Sequence, residues 1–305
     1  MTRAFVTGGL GFIGAHLVNR LVVDGYHVTL YDRKDPPDDT RFTYIRGNIL
    51  NPPHVREAMR WAQPDIVFHL AALADVRNAL NVPTEHVQTN FCATANVLEA
   101  MRATGVKQLA FTSSAVVYGD HPAGTIREDT ALLSKQTSVY GAAKRASEAL
   151  IEAYCVGYDM RADIFRLVSV VGEGYRHGNL IDFYHKLKAD PTRIQILGSR
   201  AQEKYYIYIG DMIEAMMLVT RLSHSGAEIW NVSHHRPGTI DDSIDAICEE
   251  LRVLPIRLDN GKRWIGDQPN LVLDTSKLRA RSWSPRTPIY EGMRRTVQDF
   301  VRHNL

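Results

Sequence analysis

Tyr140 and Lys144 stand four residues apart in Ser138-Val139-Tyr140-Gly141-Ala142-Ala143-Lys144. On a helix such a pair shares one face, so a phenol and an ammonium can meet over a common ligand. A nearby cation favours the phenolate and draws a tyrosine pKa down from about 10 towards neutral pH. The chemistry this predicts is removal of a proton from a sugar or alcohol hydroxyl, with Tyr140 as general base. A solvent-exposed pair on a long helix shows the same spacing, so the rest of the chain has to decide.

A second constellation lies near the N-terminus. Thr7-Gly8-Gly9-Leu10-Gly11-Phe12-Ile13-Gly14 follows a short apolar run and opens a helical pattern. Gly8 permits a tight turn, Gly11 lets the backbone approach a pyrophosphate, and Gly14 lets the helix lie close to a sheet. The helix that begins at Phe12 and Ile13 offers unpaired N–H groups and a partial positive charge to phosphates. The glycines are spaced Gly-x-x-Gly-x-x-Gly, three and three. Asp32 ends a second strand in Thr29-Leu30-Tyr31-Asp32, 18 positions past Gly14. A carboxylate there can accept from both ribose hydroxyls and repels a 2′-phosphate, which favours NAD over NADP. Arg33 beside it argues the other way.

These groups need a frame. Apolar runs at 4–6, 28–31, 42–45, 66–70, 108–111 and 162–167 read as strands, with helical patterns near 12–24, 53–62, 84–104 and 139–157 between them. Near-continuous apolar strands alternating with helices predict an α/β fold with a parallel sheet covered on both faces. After residue 168 the rhythm breaks into glycine- and histidine-containing loops, segments near 194–197 and 205–209, and helices near 180–189, 211–222, 240–252 and 289–303. Pro255, Pro269, Pro285 and Pro288 punctuate this half. The expected division is one unit over 1–168 and a smaller one over 169–305, partly interleaved.

Composition excludes several classes. The chain has 305 residues, 45% hydrophobic and 23% charged, and a formal net charge of +2, too mild for a nucleic-acid partner. No apolar stretch of about 18 residues exists to span a membrane. Cys92, Cys155 and Cys248 are far apart and odd in number, and read as reduced thiols. His234-His235 reads as part of a loop, because adjacent side chains rarely converge on one ion, and no metal site is expected. With no signal-peptide pattern at its start, the chain is expected in the cytoplasm.

Taken together, the chain resembles an extended short-chain dehydrogenase/reductase of the nucleotide-sugar epimerase type. The matching segments are residues 7–14, Gly47-Asn48-Ile49, Val67-Phe68-His69-Leu70-Ala71-Ala72, Asn90, Thr112-Ser113-Ser114-Ala115-Val116-Val117-Tyr118-Gly119 and residues 140–144. The resemblance covers nearly the full length and implies a Rossmann-type doubly wound sheet with a smaller C-terminal α/β substrate lobe. It implies that NAD is held by Gly8, Gly11, Phe12, Ile13, Gly14 and Asp32, with Asn48 and Ile49 flanking the adenine. Leu70, Ala71, Ala72, Asn90, Tyr140 and Lys144 complete that site. Asn48 stands where the family usually has Asp.

By the same resemblance Ser114 hydrogen-bonds the sugar oxygen and helps Tyr140 and Lys144 in catalysis. The implied reaction oxidises the sugar 4-hydroxyl, turns the bound 4-keto sugar over and reduces it from the other face. Family dehydratases and decarboxylases carry acidic residues just after the serine; here stand Ala115 and Val116, which leaves 4-epimerisation. Ser169 replaces the family's usual Asn, Asn179 and Leu180 fit the helix start facing the diphosphate, Lys204 falls at a common Arg position, and Trp264 lies in a late segment near the nucleotide. These five, with Ser114, are the expected substrate contacts.

UDP-glucose/UDP-galactose is the first expected substrate. UDP-glucuronate is second, with Arg77 or Arg176 reading its carboxylate, and an N-acetylhexosamine third. The alternatives are a dehydratase or reductase on the same scaffold and, from another class, a non-catalytic NAD(H) sensor. The resemblance further implies a homodimer through helices 84–104 and 139–157.

Overall fold

The structure is a computed structural model that describes residues 1–35, 38, 41–121, 124–133, 135–261 and 271–305. Trp264, one of the expected substrate contacts, lies outside them. Seven strands form one sheet: β1 (Arg3–Thr7), β2 (His27–Asp32), β3 (Thr43–Arg46), β4 (Ile66–His69), β5 (Gln108–Ser114), β6 (Arg161–Leu167) and β7 (Gly226–Val232). Their spatial order is β3-β2-β1-β4-β5-β6-β7, and every pairing is parallel. The doubly wound α/β sheet is therefore as expected. The order reverses between β1 and β4, and ligands of such sheets bind in the crevice outside the carboxyl ends at that point.

Alternation along β1 explains the two covered faces. Ala4 and Val6 point to one side, where α1 (Phe12–Val23) buries Leu17, Val18 and Leu21. Phe5 points to the other, against Val55 and Met59 of α2 (Pro52–Ala62), Val97 and Met101 of α3 (Ala93–Thr104), and Ile151 and Cys155 of α4 (Val139–Tyr158). Successive strand side chains alternate faces, so a strand with no polar face must be covered twice. Before α3 the chain makes a short helix, Pro83–Val87, and a π-helical turn, Gln88–Cys92.

Past β6 the chain forms α5 (Asn179–Ala189), α6 (Ile209–Val219), α7 (Ile240–Leu251) and α8 (Ile289–Arg302). Leu180, Phe183 and Leu187 of α5 pack with Ile244 and Ile247 of α7 and with Met293, Val297 and Phe300 of α8 around a second core. The sequence reading misses one strand of the main sheet and several short strands outside it, among them Gly124–Ile126, Ser169–Val171 and Ile256–Asp259. It has no strand at Gly226–Val232, yet this segment is β7, in register with all of β6 from Arg161 opposite Gly226 to Leu167 opposite Val232. Its helix, α6, packs its apolar side into the same core as α1. Residues 209–232 thus lie with the main sheet although they follow residue 168. The reason β7 escapes the pattern is its position: an edge strand with polar Glu228 and Asn231 lacks the continuous apolar run of the central strands. His234 and His235 lie in the loop after β7, their rings stacked 4.2 Å apart.

Candidate active site

A cleft of about 900 Å³ opens at the carboxyl ends of the strands and is lined from both halves of the chain. The glycine turn forms one wall. Gly8 holds φ at +70°, and a Cβ on it would lie 2.7 Å from the backbone of Ala71. A Cβ on Gly14 would lie 2.2 Å from the carbonyl oxygen of Gly8 and 2.6 Å from Cα of Gly9. Packing therefore demands glycine at both positions. Gly11 differs, since a Cβ there would meet only the Gly8 oxygen, at 3.2 Å. It is the residue before α1 and has no side chain to cap the helix, so the first N–H groups of α1, at Phe12 and Ile13, are left for a ligand in the cleft. This open, uncapped helix start fits a dinucleotide pyrophosphate.

Asp32 ends β2 with its carboxylate turned to the same loop: Oδ2 accepts from the Leu10 N–H at 3.1 Å and Oδ1 from the Lys34 N–H at 3.1 Å. Lys34, which the sequence reading passed over, donates from Nζ to the Leu10 carbonyl and lines the cleft. Leu70 and Ala72 line it at the end of β4. Ala71 lies against Gly8, and its N–H donates to Thr7 Oγ1. Asp32, Asn48, Ile49, Ala71 and Asn90 are not among the lining residues. The Asn48 side chain accepts from the Leu50 N–H at 2.9 Å, and the Ile49 carbonyl from Asn96. Asn90 is buried and grips Leu73 through two backbone bonds of 2.9 Å.

Opposite the turn, Ser138 caps α4 by accepting from the Gly141 N–H at 3.0 Å. The cap places Tyr140 in the first turn and Lys144 one turn on, both buried and both lining the cleft. Ser114, at the end of β5, lines the cleft with them, its hydroxyl near enough to Tyr140 to favour the phenolate. Its Oγ also accepts from the Val116 N–H at 3.4 Å, so the hydroxyl both starts the next turn and faces the phenol. The structure brings the three residues together on one wall of the cleft.

Their protonation does not follow the simple expectation. Burial pushes Tyr140 up to about 12, opposed only by the Ser114 hydrogen bond. Burial likewise pushes Lys144 down to about 7, opposed by the Glu148 charge. Lys144 Nζ is turned away from a purely ionic role: it donates to the Thr112 carbonyl at 2.8 Å and sits 4.6 Å from the centre of the Phe111 ring. Desolvation thus outweighs the charge–charge attraction that the i, i+4 spacing suggests. Burial thus favours the neutral phenol and brings the titration of the amine to about neutral pH.

Glu148, one further turn along α4, is a buried carboxylate that the sequence reading did not single out. Arg166 of β6 grips it with Nη2 at 2.7 Å and Nε at 3.1 Å, and the Ser113 hydroxyl donates to it. The Arg166 guanidinium lies 4.6 Å over the Tyr118 ring. This fork-shaped pair ties α4 to β5 and β6 directly behind Lys144.

The second half of the chain closes the cleft with Ser169, Asn179 and Lys204. Asn179 donates to the Tyr206 hydroxyl at 2.8 Å, and Leu180 points into the second core. Arg77 is ion-paired to Asp182, and Arg176 to Asp299 at 2.9 Å. Among the described residues no cluster of three or more metal-ligating side chains occurs, and no helix is long and apolar enough to cross a membrane.

The arrangement combines a dinucleotide cradle with a hydroxyl, a phenol and an amine around one space, as reversible oxidation of an alcohol requires. Comparison with known proteins agrees. The profile of the NAD dependent epimerase/dehydratase family matches residues 4–233. A putative UDP-glucose 4-epimerase of Methanocaldococcus jannaschii is 26% identical, with 98% of each chain covered. A solved UDP-galactose 4-epimerase is 30% identical with a TM-score of 0.88, covering 99% of this chain and 100% of that one. MoeE5 in complex with UDP-glucuronic acid and NAD superposes with the same TM-score at 28% identity and the same coverage. Relatives at similar distance include a dTDP-D-glucose 4,6-dehydratase of Mus musculus, 25% identical over 97% of this chain and 88% of the relative. A UDP-N-acetyl-alpha-D-glucosaminuronate decarboxylase of Bacillus cytotoxicus is 27% identical over 98% and 97%. The chain belongs to the NAD dependent epimerase/dehydratase family and is an enzyme that works with NAD.

Proposed function

We propose that the protein is a 4-epimerase of a nucleotide hexose, with UDP-glucose/UDP-galactose as its first substrate pair. The observation that carries this reading is the meeting of Ser114, Tyr140 and Lys144 on one cleft wall, with Ala115 and Val116 next to the serine. Neither of those side chains can deliver or remove a proton, so elimination of water has no acid there. Elsewhere on the wall, Asp75 is occupied by the N–H groups of Arg77 and Asn78, and Glu173 by the Tyr208 hydroxyl at 2.9 Å. A uronate substrate needs a cation for its carboxylate, and both loop arginines expected to supply it are held by Asp182 and Asp299. That favours a neutral hexose.

Bound NAD supplies a reversible acceptor for the hydrogen on the sugar carbon. Tyr140 removes the proton from the 4-hydroxyl and later returns it, with Ser114 holding the same oxygen. Because Tyr140 favours its neutral form when the cleft holds protein alone, the phenolate has to be drawn out by the positive charges that gather at it: Lys144 in its ammonium form and the cofactor's own ring. Grip on the substrate has to come from the nucleotide and diphosphate, since the sugar must be free to turn. We assign that grip to Asn179, Ser169 and Lys204, which line the cleft.

The test is proton NMR of the purified protein with NAD⁺ and, in separate tubes, UDP-galactose, UDP-glucuronate and UDP-N-acetylglucosamine. Appearance of the 4-epimer's anomeric signal from UDP-galactose supports the proposal. A 4-keto-6-deoxy product refutes it in favour of a dehydratase. Silence in all tubes from protein that binds NAD refutes UDP-glucose/UDP-galactose as the substrate pair and points to another nucleotide or sugar, or to a sensor.

A further inference from the structure

His86 is a buried histidine in the Pro83–Val87 helix, without solvent exposure, and lines the same cleft as Tyr140. The two rings meet edge to face, 6.3 Å between centres. No sequence motif marks it. Its protonation can be read from its neighbour one turn on. The Asn90 amide is oriented unambiguously by Leu73, whose N–H donates to Oδ1 and whose carbonyl accepts from Nδ2, each at 2.9 Å. The same Nδ2 reaches His86 Nδ1 at 3.4 Å. An amide nitrogen can only donate, so Nδ1 accepts and carries no proton. Burial keeps the ring in its neutral form by pushing its pKa below the ordinary value. A neutral ring has one N–H, and by elimination it is at Nε2.

That N–H has no hydrogen-bond partner among the described residues. Buried polar groups are nearly always satisfied, and an exception on a ligand cleft asks for a ligand atom. The neighbourhood supplies none: the ring is packed edge to face on Tyr140, and no described group accepts from Nε2. We propose that His86 is a substrate-binding residue whose Nε2–H donates to an oxygen of the hexose, on a carbon neighbouring the one on which Tyr140 acts. This rests on the reading of the cleft as a nucleotide-sugar site. The oxygen belongs to the sugar because the group that packs on the base must face what the base faces. A single donor beside the reacting carbon selects for a sugar with an oxygen at that place, while leaving the ring few other anchors against turning.

The test compares wild type with His86→Phe, which keeps the packing on Tyr140 and removes the N–H, and with His86→Gln, which keeps an N–H at similar reach. Thermal melting and NAD affinity are measured first, then binding of UDP-galactose, UDP-glucuronate and UDP-N-acetylglucosamine to the NAD-loaded protein by calorimetry, then turnover of each. His86→Phe is expected to melt like wild type, bind NAD equally, and lose about 10–100-fold in kcat/KM and in UDP-sugar affinity. His86→Gln is expected to recover most of that loss. Equal UDP-sugar affinity in wild type and His86→Phe overturns the proposal. So does a loss confined to NAD affinity, which moves the acceptor to the cofactor, and so does failure of the wild type to bind any of the three. If the wild type binds a UDP-sugar but epimerises none, the reaction reading fails, and the difference in affinity still decides the role of His86.

Discussion

Lys144 provides the sharpest quantitative expectation. Its ammonium is buried and pushed from the ordinary 10.5 down to about 7. That gap corresponds to about 5 kcal/mol, at about 1.4 kcal/mol per pH unit. A lysine depressed in the folded state contributes stability that is fully present above 10.5 and lost as pH falls towards about 7. The perturbation is Lys144→Met, which fills the same volume without titrating. The assay is urea unfolding of the NAD-stripped protein from pH 7 to 9, urea being chosen because it leaves charges unscreened. Over those two units the stability of wild type is expected to rise by about 2 kcal/mol relative to the variant, the amine being already half-titrated in the folded state at pH 7. Tyr140, pushed up to about 12, and His69, pushed down to about 3, both lie outside this window in the folded protein. Losing the bond to the Thr112 carbonyl changes the offset between the two proteins but not the slope. A difference that stays flat from pH 7 to 9 refutes the reasoning and means that the amine is solvated or ion-paired in the folded state.

Other expectations are simpler. Tyr140→Phe should lower kcat by about a thousandfold while melting temperature and NAD affinity, read by calorimetry, stay near wild type. Gly14→Ala drives a methyl group into the Gly8 carbonyl and should destabilise the protein by at least about 3 kcal/mol in urea unfolding, with loss of NAD binding. Glu148→Gln leaves the buried Arg166 without its counter-charge, which should cost about 3 kcal/mol and lower the melting temperature by roughly 5 °C in calorimetry. Asp32→Ala should weaken NAD binding about tenfold or more and narrow the preference over NADP, both measured by direct titration.

What the sequence makes legible here is what local rules control. The glycine spacing, the acid at the end of β2 and the four-residue step from Tyr140 to Lys144 are each properties of a few consecutive residues, and each appears where the spacing places it. Depth of burial is not a local property. The i, i+4 spacing puts Tyr140 and Lys144 on one face of α4, but only the packed structure reveals that desolvation dominates their charges. The same holds for Arg77 and Arg176. As loop arginines they look available to a substrate carboxylate, and their partners Asp182 and Asp299 are 105 and 123 residues away in the chain. His86 carries no motif, because its meaning comes from Asn90, Leu73 and Tyr140 together. The strand β7 was illegible for a different reason: it needs β6 beside it to be a strand at all, and its polar residues hide it in the meantime.

That dependence of β7 on β6 has a consequence for synthesis on the ribosome. Strand β6 is complete at Leu167, while its outer neighbour starts at Gly226. Roughly sixty residues must therefore be added before the bare edge is covered, about 3–12 s at ordinary elongation rates. During this interval a nascent six-stranded sheet displays unpaired N–H and C=O groups along the margin of β6, the kind of edge that recruits strands from other chains. Slowing translation between β6 and β7 should raise the yield of aggregated protein, and slowing it after β7 should not.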